Sequence, residues 1–465
     1  MVRARDERRQ HARRRATLGT PVTTPSDANA GTSTLTASTV SASSSVVYPP
    51  HLAAGLHDAW PHGESASALP ELDTLTRMLD TLYQVSFLSE EGVPTLVRVI
   101  LAEPDEWRRG DGPPRGFHVL PFAEPRPFTV HELRKLAPAV SYFRSLIGVQ
   151  LDRSGEPTIW GMIESGGRWV NRVHGGRFHG VPLPPHPVVH VLGPGRLMVA
   201  CGYERVLELS GGHLVAAGFD PFRSAWLPQR YGPVREQWLR RFAELGGDPT
   251  KIDPAFVRML AQNVVKRIVS IVRRRAHGGM LISLPSLEYS PERPTEEVER
   301  MLRIRCPFAP TESSRRFSDL MVLAMDRLAS VGTAHGKRVV TWDDFQSLHD
   351  PLLAELDESF LEMANLFADL MNVDGALVVT RDFDLVGFAA EVLGEFSVVR
   401  VHRALDLEAT ETVVERADAS GTRHRAAYRF AVSVPESLVV VVSQDGATRF
   451  VANRDGRVVY WPYVP

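Results

Sequence analysis

Asp374-Gly375-Ala376 and, further on, Gly421-Thr422-Arg423-His424-Arg425-Ala426-Ala427 are the stretches from which the chain is read. The first leads into an apolar run, Leu377 to Val379. The second is followed by Leu438 to Val442, which ends in Ser443-Gln444-Asp445-Gly446. So β-branched a run reads as a buried central strand. Gly421 to Ala427 should open a helix. Ahead of Asp374, apolar residues at Leu352, Leu353, Leu356, Phe360, Met363, Ala364, Phe367, Leu370 and Met371 keep the period of a long amphipathic helix. Leu385 to Ala390 reads as a second strand, and Asp455-Gly456 as the turn of a hairpin joining Arg449–Asn453 to Arg457–Trp461. The expected class is α/β, α+β overall, with a mixed central sheet flanked by helices.

These stretches carry candidate chemistry. Asp374 and Asp445 are hard oxygen ligands suited to Mg²⁺ or Mn²⁺. Gly421-Thr422 at a helix start would offer backbone N–H groups and a hydroxyl to phosphate oxygens. Arg423 and Arg425 can bind phosphate bidentately, and His424 adds a donor in the same turn. Since both acids flank apolar strands, they should project from one edge of a sheet, where open α/β sheets place ligands. Singly, each element also fits a structural role. Asp-Gly turns recur at Asp111-Gly112 and Asp455-Gly456, Thr-Arg-His-Arg suits a solvated helix end, and Ser-Gln-Asp-Gly suits a hairpin turn. All three in order point to function.

Upstream, Asp253-Pro254 opens a helix carrying Phe256, Met259, Leu260, Val264, Ile268, Ile271 and Val272 and closing on Arg273, Arg274 and Arg275, where cations suit the macrodipole. Ala276-His277-Gly278-Gly279 and the apolar run Met280 to Leu284 follow. This helix, Gly turn and strand echo Leu361 to Thr380, as one sheet using both units, a duplication or a chance likeness between common helix-turn-strand units would. Residues 286–314, rich in Pro, read as a surface excursion. Phe317 to Leu328 reads as a helix, and Thr341-Trp342-Asp343-Asp344 as a capping box.

From Tyr48 to about Tyr231 an α+β domain is expected. Leu69–Leu82 and Glu132–Ile147 show helical spacing. Pro157–Glu164, Arg168–Val173, Val188–Leu192, Leu197–Tyr203 and His213–Ala217 read as short strands between Gly and Pro turns. His190, on an apolar strand, reads as a satisfied core histidine. His174, His179 and His186 lack the spacing of a zinc site. Residues 1–47 read as a disordered tail, basic from Arg3 to Arg15 and then Ser/Thr-rich. The expected organisation is 1–47 tail, 48–231 α+β domain, 232–345 helical connection with a possible share in the last unit, and 346–465 the last domain.

A 43% hydrophobic, 23% charged chain with formal net charge −2 argues against whole-protein binding to nucleic acid or membrane. The two cysteines, Cys201 and Cys306, read as reduced and buried. With no apolar run long enough to span a bilayer and no secretory h-region, a cytoplasmic protein is expected.

In Asp374-Gly375-Ala376, Gly421-Thr422-Arg423-His424-Arg425-Ala426-Ala427 and the Val-rich strand ending at Ser443, the chain resembles the diadenylate cyclase domain family, which joins two ATP molecules into cyclic di-AMP. Such chemistry needs the triphosphate neutralised, the α-phosphoryl group polarised and a ribose 3′-hydroxyl held in line. The resemblance implies that Asp374 holds the metal and helps activate the 3′-hydroxyl. It puts Gly375 and Ala376 against the nucleotide, Thr422, Arg423 and His424 on the phosphates, and Ser443 at the triphosphate end. Membrane-bound relatives place two Glu after that Ser; here Gln444 and Asp445 keep one carboxylate. Each domain of the family holds one ATP and two meet face to face, which implies a homodimer or higher oligomer. No N-terminal anchor or C-terminal DNA-binding region is expected. Pro50-His51-Leu52 and Ala59-Trp60 resemble the probable sensor domain DACNV, which implies that residues 48 to about 340 gate cyclisation. The rival expectation is a catalytically silent sensor of the same fold that binds ATP or a cyclic nucleotide and signals to a partner.

Overall fold

Two sheets form wherever apolar residues alternate or run on, across the residues that the computed structural model describes: 46–61, 66–107, 116–165, 176–177, 183–216, 220–275, 277–284, 296–394 and 398–463. The Arg-rich tail, the strand expected over Arg168–Val173, and His174 and His179 lie outside the described residues.

The first sheet follows helices α1 (Pro49–Ala59) and α2 (Leu72–Val85) and a short ladder of β1 (Ser89–Glu90) with β2 (Val93–Pro94). Its strands are β3 (Arg98–Leu101), β4 (His118–Pro127), β5 (Ser145–Leu151), β6 (Pro157–Glu164), β7 (Pro187–Gly193), β8 (Arg196–Cys201), β9 (Glu204–Ser210) and β10 (His213–Ala216), with α3 (Val130–Leu136) before β5. They lie in the order β10-β9-β8-β7-β3-β5-β6-β4, with only β3 and β5 parallel. Alternation decides the faces. Val99, Ile147, Val189 and Val199 pack with Leu75, Leu79 and Leu82 of α2, whereas Ile100, Leu146, Val188 and Ala200 pack on the opposite side around Trp160.

The helix expected over Glu132–Ile147 stops at Leu136. Pro138 supplies no backbone donor and disfavours helical geometry just before it, so the chain leaves through the 3-10 turn Ala137–Ala139. Ile147 then lies in β5, opposite Val99. His190 is fully buried, with its Nδ1 3.2 Å from the Tyr142 hydroxyl, as a core histidine should be.

The second unit begins with α4 (Trp226–Arg230), α5 (Gly232–Glu244) and α6 (Pro254–Arg274). Asp253 caps α6 by accepting from the Ala255 N–H at 2.9 Å. Then come β11 (Gly279–Ser283), α7 (Glu296–Met301), β12 (Leu302–Pro307), α8 (Arg316–Ala334), α9 (Trp342–Ser347), α10 (Pro351–Met371), β13 (Ala376–Val379), β14 (Leu385–Val392), β15 (Arg400–Ala404), β16 (Thr412–Arg416), α11 (Thr422–Ser433), β17 (Leu438–Val442), β18 (Thr448–Arg454) and β19 (Arg457–Tyr463). The capping box at Thr341 and Asp344 forms as expected. Nine strands make one sheet in the order β12-β14-β13-β11-β17-β18-β19-β15-β16. Both faces are covered: Leu281, Leu377, Val440, Phe450 and Trp461 pack toward the helices on one side, and Ile282, Val378, Val439, Val441 and Val451 toward Ala427, Tyr428 and Phe430 of α11 on the other.

The helix-turn-strand echo is one sheet using both units, since β11 and β13 are parallel neighbours with Leu281 opposite Leu377. In place of the surface excursion read over 286–314, the described part holds α7 and the edge strand β12, paired antiparallel with β14. Arg303 and Arg305 on that strand both pair with Glu391, so charge guards the edge. Cys201 is buried, but Cys306, expected to be buried, is exposed because it lies on this edge.

Asp357 of α10 ties three segments together. Arg267 of α6, 3% exposed, reaches its carboxylate at 2.5 Å, and the backbone N–H of Arg177 donates to its other oxygen at 3.1 Å. The Arg177 side chain in turn donates to the Phe345 carbonyl at 2.7 Å. Removing one member of such a pair strands a buried charge. Asp357→Ala is expected to lower unfolding stability in urea by about 3 kcal/mol; a loss under about 0.5 kcal/mol would show that this cluster does not hold the helices.

Candidate functional site

One end of the second sheet gathers the motifs. β11 and β13 start there and antiparallel β17 ends there, with Gly279 opposite Val442. The turns before the two parallel strands both need glycine. Gly278 has φ +75° and Gly375 φ +112°. A Cβ at Gly278 would come within 2.7 Å of the Val442 carbonyl, and one at Gly375 within 2.8 Å of the Ala390 carbonyl. Neither clash involves a side chain that could move away. The site lies at the amino ends of the parallel strands, whereas open α/β sheets usually bind ligands at the carboxyl ends.

Asp374 projects from this end with its side chain 99% exposed. Arg423, in the first turn of α11, places a guanidinium nitrogen 3.9 Å from the Asp374 carboxylate and donates another N–H to the His277 carbonyl at 3.2 Å. Gly421 is the N-cap of α11 and Thr422 its first residue, both exposed, so the first turn's N–H groups face outward. Ala376 is buried at the start of β13, opposite Ala390.

The β17–β18 turn is built by its own side chains. The Ser443 hydroxyl donates to the Asp445 carboxylate, which also accepts from the Ala447 N–H at 3.0 Å. The Ser443 hydroxyl and these backbone contacts hold the Asp445 carboxyl below the usual range, so it stays ionised. The turn meets the rest of the site at Gly278, where a Cβ would lie 3.0 Å from Arg423 and 3.2 Å from the Gln444 nitrogen. Asp374, Arg423 and the Ser443–Asp445 turn therefore converge on the His277-Gly278 turn.

His424 and Arg425 sit differently. Arg425 is exposed, roughly 200° around the helix from Arg423 at 3.6 residues per turn. His424 turns into the fold, 8% exposed, with no hydrogen-bond partner for Nε2 among the described residues. Burial, then the nearby Arg449 cation, drives its pKa down to about 4, so the ring is neutral at pH 7. Arg449 was not singled out in the sequence. It stacks over Tyr460 at 4.2 Å, donates to the Tyr428 hydroxyl and to Ser420 at 3.3 Å, and so braces α11 from beneath. His277 was seen only as part of the echo; its carbonyl proves to be an anchor for Arg423.

Whether a divalent cation suits these residues turns on their donors. Among the described residues no group of three or more His, Cys, Asp or Glu side chains could hold a metal ion. Mg²⁺, however, keeps several waters and commonly takes one or two carboxylates together with substrate phosphates. An exposed Asp374 and an ionised Asp445 at one sheet end fit that mode.

A family model described as the probable sensor domain DACNV matches residues 64–164, from just ahead of α2 to the end of β6. The match takes in β3 to β6 of the N-terminal sheet, and β7 to β10 extend the sheet past it. No curated protein and no solved structure matches the chain. Among the described residues no helix is long and apolar enough to cross a membrane.

The neutral His424 has a measurable signature. Its folded pKa, about 4, lies below the unfolded value near 6.5, so between those pH values the unfolded chain binds more protons and stability rises with pH. Asp384, which burial and then Asp382 raise to about 7, slopes the other way from about 3.9 to 7, so the test is a difference that cancels it. Urea unfolding at pH 5 and pH 7.5 should show His424→Asn losing up to about 2 kcal/mol of this pH dependence relative to the parent. Identical slopes would place the His424 proton elsewhere.

Proposed function

We propose that the chain is a diadenylate cyclase that condenses two ATP into cyclic di-AMP and releases pyrophosphate, with the DACNV-type sheet as its sensor. The observation that carries this reading is the 3.9 Å approach of Asp374 and Arg423, from two motifs far apart in sequence, beside the Ser443–Asp445 turn. A carboxylate, a guanidinium, an outward-facing helix N-terminus and a hydroxyl on one open surface are what a triphosphate and a ribose hydroxyl require. The match to a sensor domain of this kind at residues 64–164 agrees with it.

In this reading the exposed first turn of α11, with Thr422 and Arg423, binds phosphate oxygens. The His277 carbonyl holds Arg423 in place, so little side-chain freedom remains to be lost on binding. Ser443 and the ionised Asp445 lie where a triphosphate would end. Asp374 accepts the ribose 3′-hydroxyl proton, and Gly375, whose missing Cβ makes room for the Ala389–Ala390 backbone, holds that acid close against the end of the sheet. His424 acts from inside the helix as a neutral ring beneath the phosphate turn. Mg²⁺ or Mn²⁺ on Asp374 and Asp445 would supply Lewis-acid polarisation of the phosphoryl group. Asp374 faces open solvent, so the reacting partner comes from outside the single chain, as two domains face to face in a homodimer or higher oligomer would supply it. The cytoplasm, where ATP is abundant, suits the activity.

A second reading, a nucleotide-binding sensor without turnover, is favoured by one observation: only one carboxylate, Asp445, follows Ser443, beside Gln444.

Purified protein incubated with ATP and Mn²⁺ or Mg²⁺ is expected to yield cyclic di-AMP by chromatography and mass analysis. Asp374→Asn should reduce the rate at least about a hundredfold, as loss of a general base does, with no change in unfolding midpoint, since the side chain is wholly exposed. Nucleotide binding without product from the parent protein would favour the second reading. Product at the parental rate from Asp374→Asn would remove Asp374 from the chemistry.

A further inference from the structure

A cavity of about 1020 Å³ lies between the first sheet and α6, and its lining meets the surface just described only at the Asp445-Gly446 turn. Its floor on the sheet side carries Arg196, Arg205 and Glu208; its helix side carries Arg258, Arg273 and Arg274; its rim reaches Asp445 and Gly446. Four anions in the wall are already committed. Glu208, 1% exposed, pairs with Arg196 at 3.1 Å and Arg205 at 2.9 Å. Asp220 pairs with Lys266 at 3.1 Å, and Glu204 lies 3.7 Å from Arg223. Asp445 is engaged by Ser443 and the Ala447 N–H. Arg258, Arg273 and Arg274 remain, so the chamber is cationic.

Arg273 is the sharpest of the three. Its Nε is buried and has no hydrogen-bond partner among the described residues. Burial, and then the neighbouring Arg196, disfavour its charge and pull its pKa below the usual arginine value. A half-buried guanidinium whose neighbouring carboxylate, Glu208, is already shared by Arg196 and Arg205 gains from an anion that joins it. Apolar and aromatic side chains, Tyr142, Phe143, Met198 and Tyr203 among them, make up much of the remaining wall. A mixed wall of this kind, with few convergent charges, is typical of small-molecule sites.

We propose that this cavity binds a small organic anion, phosphate-bearing with a flat apolar body, and that its occupancy is the signal read by the sensor domain. Arg273, with Arg258 and Arg274, holds the anionic group, and the aromatic wall holds the body. The link to the candidate site is short: a Cβ at Gly446 would lie 3.5 Å from the Arg273 Nε, so Arg273 packs against the turn that carries Ser443 and Asp445. An anion drawn onto Arg273 therefore bears on that turn. This regulatory role rests on the cyclase reading; the binding site does not.

The test uses the full chain and anilinonaphthalene sulfonate, an aromatic anion whose fluorescence reports an apolar site, with inorganic pyrophosphate as competitor. Saturable binding at one dye per chain is expected, weakened at least tenfold in Arg273→Gln and retained in Asp374→Asn. Should Arg273→Gln fail to fold, the Arg258→Gln/Arg274→Gln double variant takes its place with the same expectation. Dye affinity unchanged in a folded variant, or loss of binding in Asp374→Asn, would overturn the site. Arg273-dependent binding by a chain that makes no cyclic di-AMP would uphold the site while the cyclase reading falls. Product formed, with dye affinity indifferent to Arg273, would do the reverse.

Discussion

The constraint on which the second unit depends is the burial of β11. All five of its residues, Gly279–Ser283, are buried. A strand with both faces covered must satisfy every backbone group within the sheet, because water cannot reach it. β11 does so with β13 on one side and β17 on the other. The turns at Asp374 and at Ser443 are thereby delivered to the two flanks of the His277-Gly278 turn. Glycine at 278 lets them close up, with the Val442 carbonyl and the Gln444 nitrogen where a side chain would otherwise stand. The candidate site is thus a product of sheet closure more than of any one motif.

Much of this was legible in the sequence where a local rule and a tertiary role agree. Asp253-Pro254 opens α6, Thr341 and Asp344 form their capping box, and the Val-rich run at Leu438–Val442 is a central strand, because each needs only its own residues and one buried surface. The meeting of Asp374 with Arg423 was legible only as an order of motifs; its distance depends on β11, which the sequence reading had set in a connecting region. Local periodicity misled where it was interrupted without leaving the pattern: Leu133, Leu136, Val140, Phe143 and Ile147 keep helical spacing across Pro138, and the chain turns into a strand there. β12 escaped notice because a charged edge strand has one weakly apolar face. Whether a histidine on α11 faces in or out could not be read from Thr-Arg-His-Arg, since both directions fit a helix start; the cation beneath it, Arg449, comes from a strand far along the chain.

The turn from Ser443 to Ala447 faces two ways. On one side it meets the Gly278 turn and Arg423; on the other, Gly446 rests beside Arg273 at the inner chamber. Its internal bonds, from the Ser443 hydroxyl to Asp445 and from the Ala447 N–H to the same carboxylate, make it a stiff unit. Stiffness of this kind is what allows a small displacement on one side to be felt on the other.

The position of β11 in the sheet also governs when the chain can fold. Gly279 pairs with Val442, and the sheet continues through β18 and β19 near the end of the described residues. Contacts so distant in sequence form slowly, since a long loop must close before they contribute. During synthesis the N-terminal sheet has its partners as soon as β10 emerges, whereas β11 waits, apolar on both faces, until β17 has left the ribosome. Nascent chains stalled before β17 would expose that strand, and they are the species that chaperones would be expected to meet.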